Sequence, residues 1–404
     1  MSISIFKNFL KSLKKNNSKY LIFILLYIFI NIVLINNILF TPLHDNSFNK
    51  TDLSLDKNIF IENYHVYRIE TLINIKIQGM TTEQKIGQLF LLSIPYQYFD
   101  ENTKTLIEDY YIGGIVIMSN NISSQTQLKD LINNIQTISN TKLLITTDQE
   151  GGTIARIPWD EARFISQPHI GINNREDFAY EVGIDHAQAL KDVYINMNLS
   201  PVLDVSFIPD SSMATRTFGA SSEKVSILGT QLILAYHSES IISTAKHFPG
   251  IGRSNVDSHK YLPEINISKD ELYNEELIPF KEAIKNNVDV IMVGHAIYPE
   301  IDNNYPASLS NIIVSEILKK DLNFNGVILT DDLNMNALKD YSNKASQSIK
   351  AGCDMILVVG DFENQINYIN EINKAIEKNE ISIERLDESV KKVLRLKYNY
   401  NIVN

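Results

Sequence analysis

The sequence predicts an α/β fold, a (β/α)8 barrel of the TIM type that follows an N-terminal transmembrane helix. From residue 85 onward, short apolar runs alternate with longer amphipathic ones, as strands and helices do around a parallel sheet. Eight such units occur in about 320 residues, which suits a closed barrel. A doubly wound open sheet is the alternative. The count of eight units and the lack of a glycine-rich dinucleotide turn after the first strand favour the barrel.

Eight apolar segments are predicted as strands. In order they are Gly87–Ser93, Gly114–Met118, Leu143–Thr147, Leu199–Val205, Ile242–Ala245, Val290–Val293, Gly326–Leu329 and Met355–Val359. The amphipathic segments between and after them are predicted as helices. These are Gln125–Ser139, Glu176–Ile195, Glu223–Tyr236, Lys269–Asn286, Ser310–Lys320, Asn336–Ala351, Glu363–Lys378 and Ser382–Tyr398.

The amino terminus differs in character from the rest of the chain. Residues 20–40 carry no charge and are long enough to span a bilayer. Five lysines precede this run, so the positive-inside rule places residues 1–19 in the cytoplasm and the main domain outside it. A cleaved signal peptide is the alternative, disfavoured by the length of the run and by the lack of a small-x-small site before Thr41. We therefore expect a basic segment at 1–19, an anchor at 20–40, a linker and lead-in at 41–75, and the barrel at 76–404, located in the periplasm or at the cell surface.

Composition excludes several classes of function. The formal net charge of -11 argues against non-specific nucleic-acid binding, which needs a basic surface to neutralise phosphates. The single cysteine, Cys353, lies in an apolar run and is predicted to be a buried thiol. The histidines do not share ligand spacing, so we expect no metal site and no cofactor.

Ionisable residues follow five successive predicted strands. In a (β/α)8 barrel the carboxyl ends of the strands form one rim, where active sites lie. The residues at these ends are Asp148, Asp204, Lys246 with His247, His295, and Asp331 with Asp332. Such a rim predicts a polar pocket that holds carboxylates and cations together. Asp204 is weighed equally as a structural hydrogen-bond partner, and His295 is interpreted as a supporting residue.

This set of side chains suits a carbohydrate ligand, because charged groups form strong hydrogen bonds with hydroxyls. Cleavage of a glycosidic bond needs an ionised nucleophile and a proton donor at the leaving oxygen. Asp331, on a rigid strand end, is the predicted nucleophile. His259 is the predicted acid and base, because His titrates near neutral pH and Asp257, two residues earlier, can stabilise its imidazolium.

The segment Lys246-His247-Phe248-Pro249-Gly250-x-Gly252-x4-Asp257-Ser258-His259 resembles glycoside hydrolase family 3, and within it the β-N-acetylhexosaminidases. The resemblance covers residues from about 80 to 400 and implies a (β/α)8 barrel that hydrolyses terminal β-linked N-acetylglucosamine, with retention, from cell-wall sugars. It implies catalytic roles for Asp331, His259 and Asp257. It also implies sugar-binding roles for Asp148, Arg156, Arg216, Lys246 and His247. Ile251 departs from the family pattern, which often has a second histidine there, and we expect altered packing from it.

Three other functions stay open at this level. The chain could be a β-glucosidase or β-xylosidase of the same family. It could be a phosphorylase, because a histidine acid avoids the repulsion that a carboxylate would feel from phosphate. It could also be an anchored carbohydrate-binding protein without turnover.

Overall fold

The structure, a computed structural model, describes residues 66–209, 211, 213–258 and 260–403. The chain divides into two compact units, Met1–Val66 and Tyr67–Asn404, and the second contains the fold described below. No helix within the described ranges is long and apolar enough to cross a membrane. The predicted anchor at 20–40 and the predicted acid and base, His259, lie outside the described residues, so both stay predictions.

Eight parallel strands close into the predicted barrel. The described strands are β1 Phe90–Ser93, β2 Gly114–Val116, β3 Leu144–Thr147, β4 Gln149–Gly151, β5 Ile154–Ala155, β6 Met197–Asn198, β7 Ile242–Phe248, β8 Val290–Val293, β9 Val327–Thr330 and β10 Ile356–Val358. The sheet order is β10-β1-β2-β3-β6-β7-β8-β9, and a parallel bridge from Leu329 to Met355 joins its two ends. The remaining pair, β4 and β5, forms a small antiparallel hairpin directly after β3.

Helices surround the barrel. Residues 66–79 are helical and lead into it. The helices that follow are α1 Thr82–Gly87, α2 Glu101–Glu108, α3 Gln125–Ile138, α4 Gln167–Asn173, α5 Glu176–Lys191, α6 Ser222–Ser238, α7 Lys269–Asn274, α8 Leu277–Lys285, a π-helix at Ile312–Asp321, α9 Lys344–Ala351, α10 Phe362–Glu377 and α11 Ile383–Asn399. Several begin at a side-chain cap, such as Ser124 before α3 and Ser382 before α11, whose hydroxyl accepts from the backbone N–H three residues later.

Three predicted elements were wrong in their extent. The predicted fourth strand, Leu199–Val205, begins too late: β6 is Met197–Asn198. The backbone hydrogen bonds to the neighbouring strands continue beyond β6 as far as Leu203, whose N–H donates to the carbonyl of Lys246 at 2.6 Å, and Val202 forms a bridge with Lys246. Pro201 has no N–H to give to a ladder. The predicted helix at Lys269–Asn286 breaks at Glu275, whose backbone is not helical. The segment Asn336–Ala351 forms a 3₁₀ turn and then α9.

The strands are buried on both faces, which explains their continuous apolar sequences. One cluster of buried side chains fills the barrel. Its residues come from strands all around the barrel, for example Leu91, Leu144, Ile242 and Leu329. Val393 from α11 packs into the same cluster. A second, larger cluster lies between the strands and the surrounding helices. The filled interior leaves the rim at the carboxyl ends of the strands as the place for polar side chains.

Candidate active site

Lys246 lies at the centre of the rim. It comes near the end of β7, and its side chain is 2% exposed. Its Nζ lies 2.8 Å from Asp148 Oδ1 and 2.7 Å from Glu150 Oε1. Burial alone would lower the pKa of Lys246, but the negative charges of Asp148 and Glu150 raise it above its usual value. Lys246 is therefore a buried cation held between two carboxylates.

Glu150 is a site residue that the sequence prediction left out. It lies on β4, its side chain is 2% exposed, and its two oxygens accept from Arg216 at 3.0 Å from Nε and 2.7 Å from Nη2. Burial would raise the pKa of Glu150, but Arg216 and Lys246 lower it well below its usual range. Its spacing from Asp148 was the available signal, since residues two apart in an extended chain point to the same side.

Arg216 and Arg156 complete this group of charges. Burial would lower the pKa of Arg216, but the Glu150 carboxylate raises it further above its usual value. At the other end, Arg156 Nη2 lies 3.7 Å from Asp148 Oδ2, and its Nε is buried without a partner in the described structure. The five side chains thus alternate in sign. We call them the charge chain: Arg156, Asp148, Lys246, Glu150 and Arg216.

His247 is held by Asp204, which is fully buried. The Asp204 carboxylate accepts from the backbone N–H of His247 at 3.1 Å and from its ring nitrogen Nδ1 at 2.8 Å. Its other oxygen accepts from the backbone N–H of Ile251 at 2.7 Å. The ring nitrogen Nε2 faces Arg216 Nη2 at 3.5 Å. Asp204 therefore fixes the His247 ring and the start of the loop after β7. These contacts support the interpretation of Asp204 as a structural hydrogen-bond partner.

Asp331 and Asp332 follow β9 but have different surroundings. One oxygen of Asp332 accepts from the backbone N–H of Asn334 at 3.0 Å and of Val359 at 2.9 Å, so this carboxylate ties two loops together. Asp331 is half-buried and accepts from the N–H of Asp332 at 2.8 Å. Burial would raise the pKa of Asp331, but electrostatic interaction with His247 and His295 and the hydrogen bond from the N–H of Asp332 lower it below its usual value. The pKa of Asp331 is thus set by its neighbours His247, His295 and Lys246 at the end of β9, whereas Asp332 holds loop backbone.

His295 supports the same loop. Its side chain is buried, its Nε2 donates to the carbonyl of Asp332 at 3.0 Å, and its Nδ1 lies 2.7 Å from Ser308 Oγ. Burial lowers the pKa of His295, and the charge of Asp331 opposes this only in part. Both ring nitrogens are occupied by structural partners.

The loop after β7 folds back toward β9. Near its start, Arg253 forms ion pairs with Glu275 and with Glu276, which is 1% exposed on its side chain. Near its tip, the carbonyl of Ser258 accepts from the N–H of Ala337 at 3.3 Å, just beyond the Asp331–Asp332 pair. Asp257 is part of the described loop, and its carbonyl accepts from the N–H of Lys260 at 2.9 Å. The loop therefore brings the Asp257–Ser258 segment beside the segment that follows Asp331.

Two other sequence predictions concern reactive groups. Cys353 is fully buried as predicted, and burial raises the pKa of its thiol to about 12. Within the described ranges, no group of three or more His, Cys, Asp or Glu side chains is arranged to hold a metal ion.

Several known proteins resemble this chain in sequence and in fold. Residues 81–396 match the family model of the glycosyl hydrolase family 3 N-terminal domain. A secreted glycosyl hydrolase of Arthroderma benhamiae is 32% identical over 77% of this chain and 91% of its own length. A β-hexosaminidase of Pseudomonas aeruginosa is 31% identical over 67% of this chain and 82% of its own length. A solved family 3 β-N-acetylglucosaminidase from a Paenibacillus species superposes with a TM-score of 0.79 at 33% identity, over 80% of this chain and 63% of that one.

Proposed function

The chain belongs to glycosyl hydrolase family 3, and from that premise we propose that it is a retaining β-N-acetylhexosaminidase acting on terminal β-linked N-acetylglucosamine. The single observation that carries the proposal is the position of Asp331 at the end of β9, on the same barrel rim as Lys246 and Arg216, two largely buried cations that Glu150 holds in place. The likeness to β-hexosaminidases and to a β-N-acetylglucosaminidase supports the choice of sugar.

The charge chain serves as the sugar-binding wall in this proposal. Lys246 and Arg216 are each held by Glu150, so their N–H groups are fixed before substrate arrives. Fixed charged donors give strong hydrogen bonds to hydroxyls and cost little reorganisation. His247, oriented by Asp204, presents its other ring nitrogen beside Arg216. Arg156 and Asp148 extend the wall at its far end.

Reaction begins when the Asp331 carboxylate attacks the anomeric carbon and forms a glycosyl ester. The bond to the leaving oxygen breaks, and that oxygen takes a proton from His259, which Asp257 supports. A water then attacks the anomeric carbon, gives its proton to His259, and releases Asp331 as a carboxylate. Two displacements at one carbon return the β configuration. The fold of the loop toward β9 favours these roles for Asp257 and His259, because Ser258 contacts the segment after Asp331.

The location of this activity forms part of the proposal. The uncharged run at 20–40 anchors the chain in a membrane, and the lysines before it keep the barrel outside the cytoplasm. A barrel placed there meets glycans of the cell wall, which contain N-acetylglucosamine. The natural substrate proposed is therefore a wall-derived glycan.

The test uses the purified full-length chain with three aryl substrates: β-N-acetylglucosaminide, β-glucoside and β-xyloside. We expect a strong preference for the N-acetyl sugar. Asp331→Asn should lower kcat at least about a thousandfold, because the amide cannot act as a nucleophile. Asp332→Asn is the matched control. Its amide oxygen still accepts from the N–H groups of Asn334 and Val359, so most activity should remain.

Other outcomes identify the alternatives. Equal or greater activity on the glucoside or xyloside would remove the sugar assignment. Sugar 1-phosphate formed in added phosphate would identify a phosphorylase. Binding of N-acetylglucosamine oligosaccharides without turnover would identify a carbohydrate-binding protein.

A further inference from the structure

Two exposed tyrosines form a stacked pair on the rim of the barrel. Tyr96 and Tyr98 lie in the loop after β1 and are 46% and 62% exposed. Their rings are stacked, with centroids 5.0 Å apart and planes within 1° of parallel. Tyrosine is enriched at binding surfaces, because covering its ring removes apolar area from water while its hydroxyl can still form a hydrogen bond. An exposed aromatic pair is therefore a candidate binding site.

The loop that carries the pair is held rigidly. Four consecutive carbonyls, of residues 94–97, each accept from a side-chain amide of the loop after β2 or of the first turn of α3. Asn121 donates to two of them at 3.0 Å, Asn120 to another at 3.2 Å, and Gln127 to the last at 2.5 Å. Asn121 itself is fully buried. These hydrogen bonds fix the backbone of residues 94–97, so this part of the loop loses little entropy when a ligand binds.

The pair is connected to the candidate active site through the rim. In the barrel, β1 neighbours β10, and β10 follows β9, whose end carries Asp331. Two strand spacings, roughly 10 Å, separate the end of β1, which leads to the pair, from the end of β9, which leads to Asp331. Hydrogen bonds join the three loops: Asp332 to Val359 at 2.9 Å, and Gly360 to Ser93 at 3.0 Å.

A groove of about 420 Å³ lies beside the pair, and its wall mixes an aromatic ring with polar groups. Tyr96 and Pro95 line it on one side, and Asn102, Asp361 and Glu363 supply amide and carboxylate groups. A sugar ring has the matching chemistry, since its apolar face covers an aromatic ring while its hydroxyls bind amides and carboxylates.

We propose that Tyr96 and Tyr98 form a platform for sugar rings of the glycan beyond the bond that is cleaved. The inference rests on the proposed function, because it takes the substrate to be a β-linked N-acetylglucosamine chain whose end ring is at Asp331. The platform then makes the enzyme favour glycans of several rings over a disaccharide. Its position on the same rim, within reach of a short glycan, favours this occupant over a partner protein.

The test measures binding of N-acetylglucosamine and of its β-1,4-linked tetrasaccharide by titration calorimetry. The full-length Asp331→Asn chain is used so that the ligand stays intact. Tyr96→Ala and Tyr98→Ala, added singly, should each weaken tetrasaccharide binding about twofold to tenfold and leave binding of the single sugar unchanged. Tyr67→Ala is the matched control, because Tyr67 is 58% exposed on the helix at 66–79, away from the rim.

Three results would overturn the platform. One is tetrasaccharide binding that both substitutions leave unchanged. Another is an equal loss for the single sugar, which would mean that the loop only supports the site at Asp331. The third is a dimer of the full-length chain that Tyr98→Ala dissociates in sedimentation, which would make the pair a contact between copies. Failure of the proposed function has a different signature, namely no hydrolysis of the aryl N-acetylglucosaminide by the unsubstituted chain.

Discussion

Replacing Glu150 with Gln tests the charge chain at the carboxylate that two of its cations share. Glu150 is the shared partner of Lys246 and Arg216, and all three are largely buried. In Glu150→Gln the amide keeps the shape of the side chain but loses the negative charge. Its NH2 group is a hydrogen-bond donor, so it is repelled where it faces an N–H group of Lys246 or Arg216. Asp148 is then the remaining carboxylate within ion-pair distance of Lys246.

The expected loss is large for one substitution. Removing one partner of a buried ion pair costs about 3 to 5 kcal/mol, because the other charge stays buried without compensation. For a unit the size of Tyr67–Asn404, unfolding carries an entropy of about 0.7 kcal/mol per kelvin, so Tm should fall by about 4 to 7 °C. Glu316→Gln is the control. Glu316 pairs with Lys320 on the surface, and such a pair contributes about 0.5 kcal/mol or less.

The assay is thermal unfolding followed by circular dichroism at about pH 7 and about pH 3.5. The pKa of Glu150 is lower in the folded chain than its ordinary value of 4.5. Its contribution to stability is therefore complete above pH 4.5, declines as the pH falls below that value, and is lost entirely below the folded pKa. The difference in Tm between the unsubstituted chain and Glu150→Gln should shrink at the lower pH. A Tm for Glu150→Gln within about 1 °C of the unsubstituted chain at pH 7 would refute the reasoning, because the ion pairs would then contribute no net stability.

Three further predictions concern other buried groups. Asp204→Ala leaves three buried donors without their acceptor and should cost about 3 kcal/mol or more in urea unfolding; a loss below about 1 kcal/mol would contradict this. Arg253→Met frees the start of the loop after β7 and leaves Glu276 buried without its cation. If Arg253 positions this loop, kcat on the aryl N-acetylglucosaminide should fall several-fold with KM little changed. An unchanged kcat would show that Arg253 does not position the loop for the reaction. Burial lowers the pKa of Lys397 from 10.5 to about 7, so the folded chain binds this proton less tightly than the unfolded chain does. Tm should therefore rise between about pH 7 and pH 10. Lys397→Met should lack this rise, and an equal rise in both chains would contradict the assignment.

Much of the fold was predictable because the strands are buried on both faces. Such strands have continuous apolar sequences, and Val290–Val293 was found with the bounds that were predicted. The fourth strand was misplaced for the same reason. Residues 199–205 are as apolar and buried as a strand, and the local sequence does not contain the pairing with neighbours that shows where the strand begins. That pairing begins at Met197, and its hydrogen bonds continue as far as Leu203.

The rim of the site was predictable because it lies at strand ends, and β7 and β9 were recognised. The structure places Lys246, His247 and Asp331 there. The role of Glu150 was not predicted because it depends on convergence: Arg216 is 66 residues away along the chain. The sequence shows that cations and carboxylates lie at the rim, but the structure is needed to show which of them share a partner.

The charge chain and Asp331 also bear on the second half of the proposed reaction. The charge chain has three cations and two carboxylates, so these five side chains carry one excess positive charge on the same rim as Asp331. When Asp331 becomes a glycosyl ester, its negative charge is lost and this excess is no longer balanced. The groups that lower the pKa of Asp331 are His247, His295 and the N–H of Asp332, followed by Lys246 of the charge chain. They also make Asp331 a better leaving group, because they stabilise the carboxylate that water attack on the sugar releases. One arrangement of fixed charge thus favours both the ionised nucleophile and the breakdown of the intermediate.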